Sequence, residues 1–173
     1  EREQLQADAP RVRVELISNL HEVAGAGAPY AQRHDLVFVG GFPHPPNLDA
    51  MEWFIGEVFA GIRAQLPQVR LHCIGAAAPD SLLALAAGQP GVEMHGFVED
   101  IVPYMDGARI AIAPLRFGAG VKGKINLSMA HGQPVVGTTC AVEGMHLQAG
   151  RDVLVADTAE AFADAVARLY QDP

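Results

Sequence analysis

The sequence predicts an α/β protein with a Rossmann-like, doubly wound fold: about six parallel strands with helices on both faces. Short apolar runs alternate six times with segments of helical periodicity, at intervals of about 20–25 residues. No hairpin signal separates successive runs, and alternating βα units of this kind form a parallel sheet with right-handed crossovers. The length of 173 residues suits one such domain.

The strands are predicted from continuous apolar runs, which are typical of parallel strands covered on both faces. The first four runs end at a glycine or a proline, residues that interrupt regular structure. The predicted strands are residues 36–39, 71–74, 92–95, 110–113, 134–137 and 153–156.

The helices are predicted from apolar residues at helical spacing and from their caps. Asn47 is expected to cap a first helix that ends before Pro67, and Thr158 a last helix that ends near Tyr170. Shorter helices are predicted over residues 81–87 (capped near Asp80), 101–105 and 121–131.

The N-terminal residues 1–34 are predicted to hold one strand and a linker. Val12, Val14 and Leu16 alternate with charged residues, which is the period of a half-buried strand. A stretch rich in glycine and alanine follows. We therefore assign residues 1–34 to an N-terminal strand and linker region, and residues 35–173 to a Rossmann-like domain.

Composition excludes several classes of protein. With 50% apolar and 18% charged residues the chain is not a disordered one, and no apolar run reaches the ~18 residues of a membrane span. A net charge of −8 argues against a nucleic-acid partner. Cys73 and Cys140 lack zinc or redox spacing, so we expect buried thiols in a reducing cytoplasm. The chain starts without methionine and stops abruptly, so we expect a piece of a longer protein.

The loop between Pro114 and Asn126 carries the strongest chemical signal, since ligands of open α/β sheets bind at the carboxyl ends of the strands. A glycine-rich loop there meets a helix with Lys122 and Lys124 in its first turn. Cations are unfavourable at a helix N-terminus, where the backbone already contributes about half a positive charge. A bound anion would offset that cost, so the pattern predicts a cradle for a diphosphate. The P-loop spacing is absent, and the alternative is a solvated basic turn.

Two further loops after strands are weaker signals. Gly40 and Gly41 allow close approach of a ligand, but prolines replace the dinucleotide fingerprint, and an ordinary turn is the alternative. Glu143, in the third loop, could accept hydrogen bonds from sugar hydroxyls or pair on the surface. The seven histidines show no metal-ligand spacing, so we expect no metal site and no cofactor.

From Asp35 to Tyr170 the chain resembles the C-terminal, donor-binding domain of group 1 glycosyltransferases with the GT-B fold. The resemblance rests on the order and spacing of six segments. They are FVGGFPHPPNLDAMEWF (38–54), VRLHCIGA (69–76), VEMHGFVEDIVPYM (92–105), IAPLRFGAGVKGKI (112–125), MAHGQPVVGT (129–138) and AVEGM (141–145).

The resemblance implies a set of site residues. Lys122 and Glu143 are the expected catalytic residues. The glycines of the first loop would lie near the donor phosphates, and residues 96–98 would frame the base. The implied donor-binding residues are Gly40, Gly41, Gly96, Phe97, Val98, Arg116, Gly118, Gly120, Lys122, Lys124, Asn126 and Gly144.

One position departs from the family pattern. Many members have a glutamate that holds the ribose hydroxyls seven residues before the proline of the G-x-P-V-V segment. That proline is Pro134 here, and the glutamate position is Leu127, which cannot accept a hydrogen bond. Ala119 replaces a second acid. Either Asn126 or Ser128 takes over ribose recognition, or the donor is held differently.

The resemblance also implies a function. The chain would be one half of a GT-B enzyme in polysaccharide biosynthesis. It would bind a nucleotide-sugar donor, while a missing N-terminal domain holds a sugar, lipid-linked or other acceptor. Transfer would retain configuration and need no metal, with cations stabilising the leaving diphosphate. A cytoplasmic location follows, which allows peripheral membrane attachment of the full-length protein. The alternatives are a degenerate, non-catalytic GT-B half with a binding or regulatory role, and a GT-B nucleotide-sugar epimerase.

Overall fold

One sheet of six parallel strands forms the centre of the protein, with helices packed on both of its faces. The computed structural model describes residues 2–15, 22–25 and 27–172. The strand order is β3-β2-β1-β4-β5-β6. This is the Rossmann order, and it confirms the doubly wound α/β fold expected from the sequence.

All six predicted strands are present, each within two residues of its expected bounds. They are β1 (His34–Val39), β2 (Leu71–Ile74), β3 (Val92–Gly96), β4 (Ala108–Ala113), β5 (Val135–Gly137) and β6 (Leu154–Val155). The chain reverses its direction of travel across the sheet between β1 and β4, which are direct neighbours. A cleft therefore opens at the carboxyl ends of these two central strands.

The helices also match the predicted periodicity, with two additions, α1 and α7. They are α1 (Arg2–Asp8), α2 (Pro45–Trp53), α3 (Phe59–Gln65), α4 (Asp80–Ala87), α5 (Val102–Gly107), α6 (Gly123–Ala130), α7 (Thr139–Val142) and α8 (Ala159–Gln171). A π turn over Phe54–Val58 joins α2 to α3, so the single helix expected there is continuous but locally widened. The short helix α7 lies within the loop expected after β5. No helix among the described residues has the length and apolar character to cross a membrane.

The predicted helix caps are partly correct. Thr158 caps α8, and its side chain accepts a hydrogen bond from the Ala161 amide at 3.2 Å. Asn47 does not cap α2, which begins earlier because Pro45 adopts a helical φ at the first helical position. His44 is the cap residue instead. The Asn47 side chain is thereby left for contacts beyond its own helix.

The strand expected at Val12 and Val14 is not formed. The described residues 11–15 contain no strand, and a helix, α1, precedes them. The side chain of Gln6 donates to the Val12 carbonyl at 2.8 Å and accepts from the Val14 amide at 3.2 Å. These local bonds satisfy backbone groups that a sheet ladder would otherwise pair. Leu16, the third residue of the expected strand, lies outside the described residues.

The core lies in two layers because successive residues of each strand point to opposite faces of the sheet. Leu36 and Phe38 of β1 face α2, α3 and α8, while Val37 faces the layer that includes α5 and α6. Phe54 and Phe162 meet edge to face with ring centroids 5.6 Å apart. Trp53 and Phe54 are buried, as expected for core residues.

A close approach of two strand ends fixes the carboxyl edge of the sheet. Gly75, which follows β2, lies against Gly40, which follows β1. A Cβ atom at Gly75 would stand 2.1 Å from the carbonyl oxygen of Gly40. Because the obstructing atom belongs to the backbone, no side-chain rotation can relieve the contact. Only glycine fits at this position.

Replacing Gly75 with alanine is therefore expected to destabilise the fold by about 3 kcal/mol, the upper part of the range for overpacking. Gly56 is the control, since a Cβ there meets no atom within 4 Å. Gly56→Ala should stabilise the helix by roughly 0.5–1 kcal/mol. Urea unfolding of the two variants measures both effects. A Gly75→Ala variant as stable as the wild type would show that the ends of β1 and β2 do not approach each other this closely.

Candidate functional site

Two clefts lie at the carboxyl ends of the strands. The first, which we call the switch cleft, has a volume of about 200 Å³ and lies between residues 44–47, at the start of α2, and residues 115–124 after β4. The second, the glycine cleft, has a volume of about 310 Å³ and lies among the glycine-containing ends of β1, β2 and β3. A larger hollow of about 700 Å³ is lined by four residues of α1 and contains no strand end, so it is not the candidate site.

The structure gathers many of the residues expected at a donor site. Gly40, Gly41 and residues 96–98 line the glycine cleft. Gly118, Lys122 and Lys124 line the switch cleft. The two clefts adjoin because the loop after β1 contributes to both.

Lys124 is a half-buried cation of the switch cleft. Its Nζ atom donates a hydrogen bond to Asn47 Oδ1 and lies 4.3 Å from the centre of the Phe38 ring. Burial, and to a lesser degree the charge of Lys122, lowers the pKa of Lys124 to about 7. Among the described residues no carboxylate forms an ion pair with it. Lys124 is therefore poised between a neutral amine and a cation that an anion would stabilise.

Asn47 links the two clefts. Its Nδ2 atom donates to the Gly41 carbonyl at 2.8 Å, while its Oδ1 atom accepts from Lys124. A Cβ atom on Gly40 would stand 2.8 Å from Asn47 Nδ2, so the glycine makes room for the amide. Sequence reasoning treated Asn47 only as a helix cap. No local signal could have revealed this role, since its partner lies 77 residues away.

Lys122 has a different role from Lys124. It is the residue that precedes α6, and its Nζ atom donates to the carbonyls of Gly118 at 3.2 Å and Gly120 at 2.6 Å. Both glycines have positive φ values, +123° and +77°, a backbone conformation that side chains rarely adopt. Lys122 therefore closes its own glycine loop over the switch cleft.

Arg116 is held away from both clefts. Its guanidinium donates to Asp49 through Nε at 2.9 Å and through a second nitrogen, and it lies 5.7 Å from the Trp53 ring centre. The hydrogen bond that Arg116 donates to Asp49 is the main cause of its raised pKa. The positive charge is thus already paired with a carboxylate.

The remaining expected residues also lie outside the linings of the two clefts. Glu143 and Gly144 follow α7 and are exposed, and Asn126 is half-buried. Ser128 is buried, and its hydroxyl donates to the Lys124 carbonyl at 2.9 Å. Leu127 packs against the core layer beside α6.

A polar cluster on β2 and β3 was not predicted from the sequence. His72, Glu93 and His95 offer three ligand atoms that lie within 4.8 Å of one another. Burial, and next the neighbouring His72, lowers the pKa of His95. Glu93 and His95 are two residues apart on one strand, which places them on the same face of the sheet. The third member comes from the neighbouring strand, and only the strand register reveals it.

Comparison with known proteins identifies a family. A family model described as "Glycosyl transferases group 1" matches residues 33–172. No curated protein sequence matches the chain significantly.

Solved structures share the fold at low sequence identity. S. aureus TarM, in a structure with fondaparinux, α-GlcNAc-glycerol and UDP, superposes with a TM-score of 0.78 at 12% identity over 99% of this chain and 35% of TarM. Sucrose-phosphate synthase from Thermosynechococcus elongatus gives 0.65 at 21% identity over 84% of this chain and 38% of that one. Anabaena HepE, in a structure with UDP and glucose, gives 0.62 at 15% identity over 82% and 39%. This chain therefore spans little more than a third of each.

The environment of Lys124 predicts a titration near pH 7. The chain contains only two lysines, so a sample with ¹³C-labelled lysine has two ε-carbon signals to follow by NMR. The signal that disappears in Lys124→Met should titrate with a midpoint of about 7. Lys122→Met should raise this midpoint, because it removes a neighbouring positive charge. A midpoint above 10 would show that the amine is not buried.

Proposed function

Because the chain belongs to the group 1 glycosyltransferases, we propose that it is the part of such an enzyme that binds the nucleotide-diphosphate sugar donor. The observation that carries this proposal is Lys124, a half-buried lysine at the carboxyl ends of the central strands with no described carboxylate to pair it. A diphosphate supplies the missing negative charge. The position matches the rule that open α/β sheets bind ligands at the switch in strand order.

The switch cleft is proposed to hold the two phosphates. Lys124 provides a positive charge, and the amides at the start of α6 provide further donors next to it. Lys122 keeps the glycine loop closed through its bonds to Gly118 and Gly120, so it acts on the phosphates chiefly by shaping the loop. As the sugar leaves, charge builds on the diphosphate, and a preformed cation stabilises it without a metal.

The glycine cleft is proposed to hold the base and ribose. Phe97 is 80% exposed at its rim, which leaves an aromatic surface available to a flat ring. Two of the similar structures contain UDP, which makes uridine diphosphate the first ligand to test. Asn126 lies outside the lining of the glycine cleft, and the Ser128 hydroxyl is engaged with its own helix, so we expect the ribose to be held without a substitute for the absent glutamate.

The remainder of the reaction is proposed to need a second domain. The chain spans little more than a third of the length of the similar structures, so the acceptor would be held mainly by a part of the enzyme outside these residues. The family resemblance implies transfer with retention of configuration. Glu143 is exposed after α7, where a facing domain could bring substrate to it. The isolated chain should bind nucleotide weakly and transfer no sugar.

A non-catalytic half is the second candidate, because Leu127 packs into the core where many family members place a ribose-binding glutamate. Such a chain would have the same fold and would act as a binding or regulatory domain. It would still bind a diphosphate if the cradle is intact, so binding and transfer must be measured separately. Transfer by the full-length protein decides between the two candidates.

UDP titrations by calorimetry test the diphosphate cradle. Lys124→Met should weaken UDP binding roughly 10- to 100-fold, the loss expected for a hydrogen bond to a charged group. Arg151→Gln is the matched control, since it removes a cation that precedes β6 at the opposite edge of the sheet. The UDP affinity of Arg151→Gln should equal that of the wild type. Binding that is indifferent to Lys124, or absent for UDP, GDP and ADP alike, would overturn the proposal.

UDP binding is also predicted to be accompanied by an uptake of protons from solution. At pH 8 Lys124 is mostly neutral in the free chain, because its pKa is about 7. A bound diphosphate raises that pKa, so binding should take up as much as one proton, and affinity should fall as the pH rises above about 7. Calorimetry in two buffers of different ionisation enthalpy measures the uptake. An equal uptake in Lys124→Met would assign the proton to another group.

A further inference from the structure

We propose that His72, Glu93 and His95 form a binding site for one divalent transition-metal ion of the zinc type. His72 lies on β2 directly opposite Glu93 of β3, and His95 lies two residues further along β3 on the same face. Imidazole and carboxylate form a ligand set suited to Zn²⁺ and its first-row neighbours. The site shares no residue with the linings of the switch cleft or the glycine cleft, so it is independent of the proposed donor site.

The three ligand atoms have the spacing of a tetrahedral site. His72 Nδ1 lies 3.0 Å from His95 Nε2. Glu93 Oε2 lies 3.3 Å from His72 Nδ1 and 3.7 Å from His95 Nε2. Ligands about 2.0–2.1 Å from a tetrahedral zinc ion are about 3.3 Å from one another. The observed distances lie on both sides of that value, so an ion fits after shifts of a few tenths of an ångström.

Each ligand also has an outer partner on its other polar atom. His72 Nε2 lies 3.5 Å from the buried carboxylate of Asp35, and Arg70 donates to Glu93 Oε1 at 3.2 Å. The hydroxyl of Tyr104 lies 3.4 Å from His95 Nδ1. Outer groups of this kind orient metal ligands in known sites. A hydrogen bond between the two imidazoles alone would not need the carboxylate and the phenol arranged around it.

Solvent can reach the cluster. The side chains of His72 and His95 are 13% and 21% exposed, and that of Glu93 is 39% exposed. Three protein ligands leave one tetrahedral position for water or another ligand. The ion would tie the edge strand β3 to β2, with Tyr104 bringing α5 to the same centre. Metal binding is therefore expected to stabilise this edge of the sheet.

Cobalt and zinc binding to the chain, prepared without a histidine tag, tests the site. Co²⁺ should give the intense visible absorption of a tetrahedral complex, saturating at one ion per chain, and Zn²⁺ should abolish it. Zn²⁺ affinity is then measured by competition with a chromophoric chelator. Millimolar Mg²⁺ should not compete, because magnesium prefers octahedral oxygen ligands. A chain with no saturable Co²⁺ or Zn²⁺ site would overturn the proposal.

Substitutions in the cluster test whether its side chains hold the ion. His95→Gln and Glu93→Gln should each abolish the tetrahedral cobalt spectrum, while His34→Gln, which changes an exposed histidine outside the cluster, should leave it intact. Tyr104→Phe should keep the spectrum and weaken Zn²⁺ binding about tenfold, as expected for an outer partner. Circular dichroism confirms that each variant is folded. Unchanged zinc affinity in both Gln variants would show that the ion binds elsewhere. The result of the UDP titration does not affect this test.

Discussion

The hydrogen bond between Lys124 and Asn47 is the contact on which the candidate donor site depends. It joins the first turn of α2 to α6, the helix after β4, and residues of both helices line the switch cleft. The amine lies against Phe38, in the central strand of the sheet, so the core itself sets its position. Partial burial disfavours the charged form of this amine and a bound anion would favour it, which suits the proposed binding and release of a diphosphate.

The charge distribution supports the same conclusion. The chain carries a net charge of −8, yet both of its lysines lie where one glycine loop meets the start of α6. Arg116, the other cation of that loop, is neutralised by Asp49, and Lys122 is bound to loop carbonyls. Lys124 is therefore the cation best placed to meet a ligand. The acidic surface elsewhere would repel a free anion, which favours a donor that also gains binding energy from its base and sugar.

The candidate metal site and the candidate donor site use different parts of the sheet. The donor site is formed by loops beyond the strand ends, and the metal site by side chains that stand on one face of β2 and β3. Because the two sites share no residue, the domain could bind a metal ion and a donor independently. A metal on β3 would stiffen the strand whose end, Gly96, contributes to the glycine cleft.

Apolar periodicity and glycine or proline breaks are local signals, and from them the sequence predicted the six strands, their parallel arrangement and the loops of the candidate site. It also singled out both lysines, since their place at a helix start is visible in the chain. Packing between distant segments made Asn47 the partner of Lys124, lowered the pKa of that lysine and brought His72 to Glu93 and His95. It also showed that Gln6 satisfies the backbone at Val12 and Val14. Burial and hydrogen bonding between distant residues depend on strand register and packing, which no local pattern encodes.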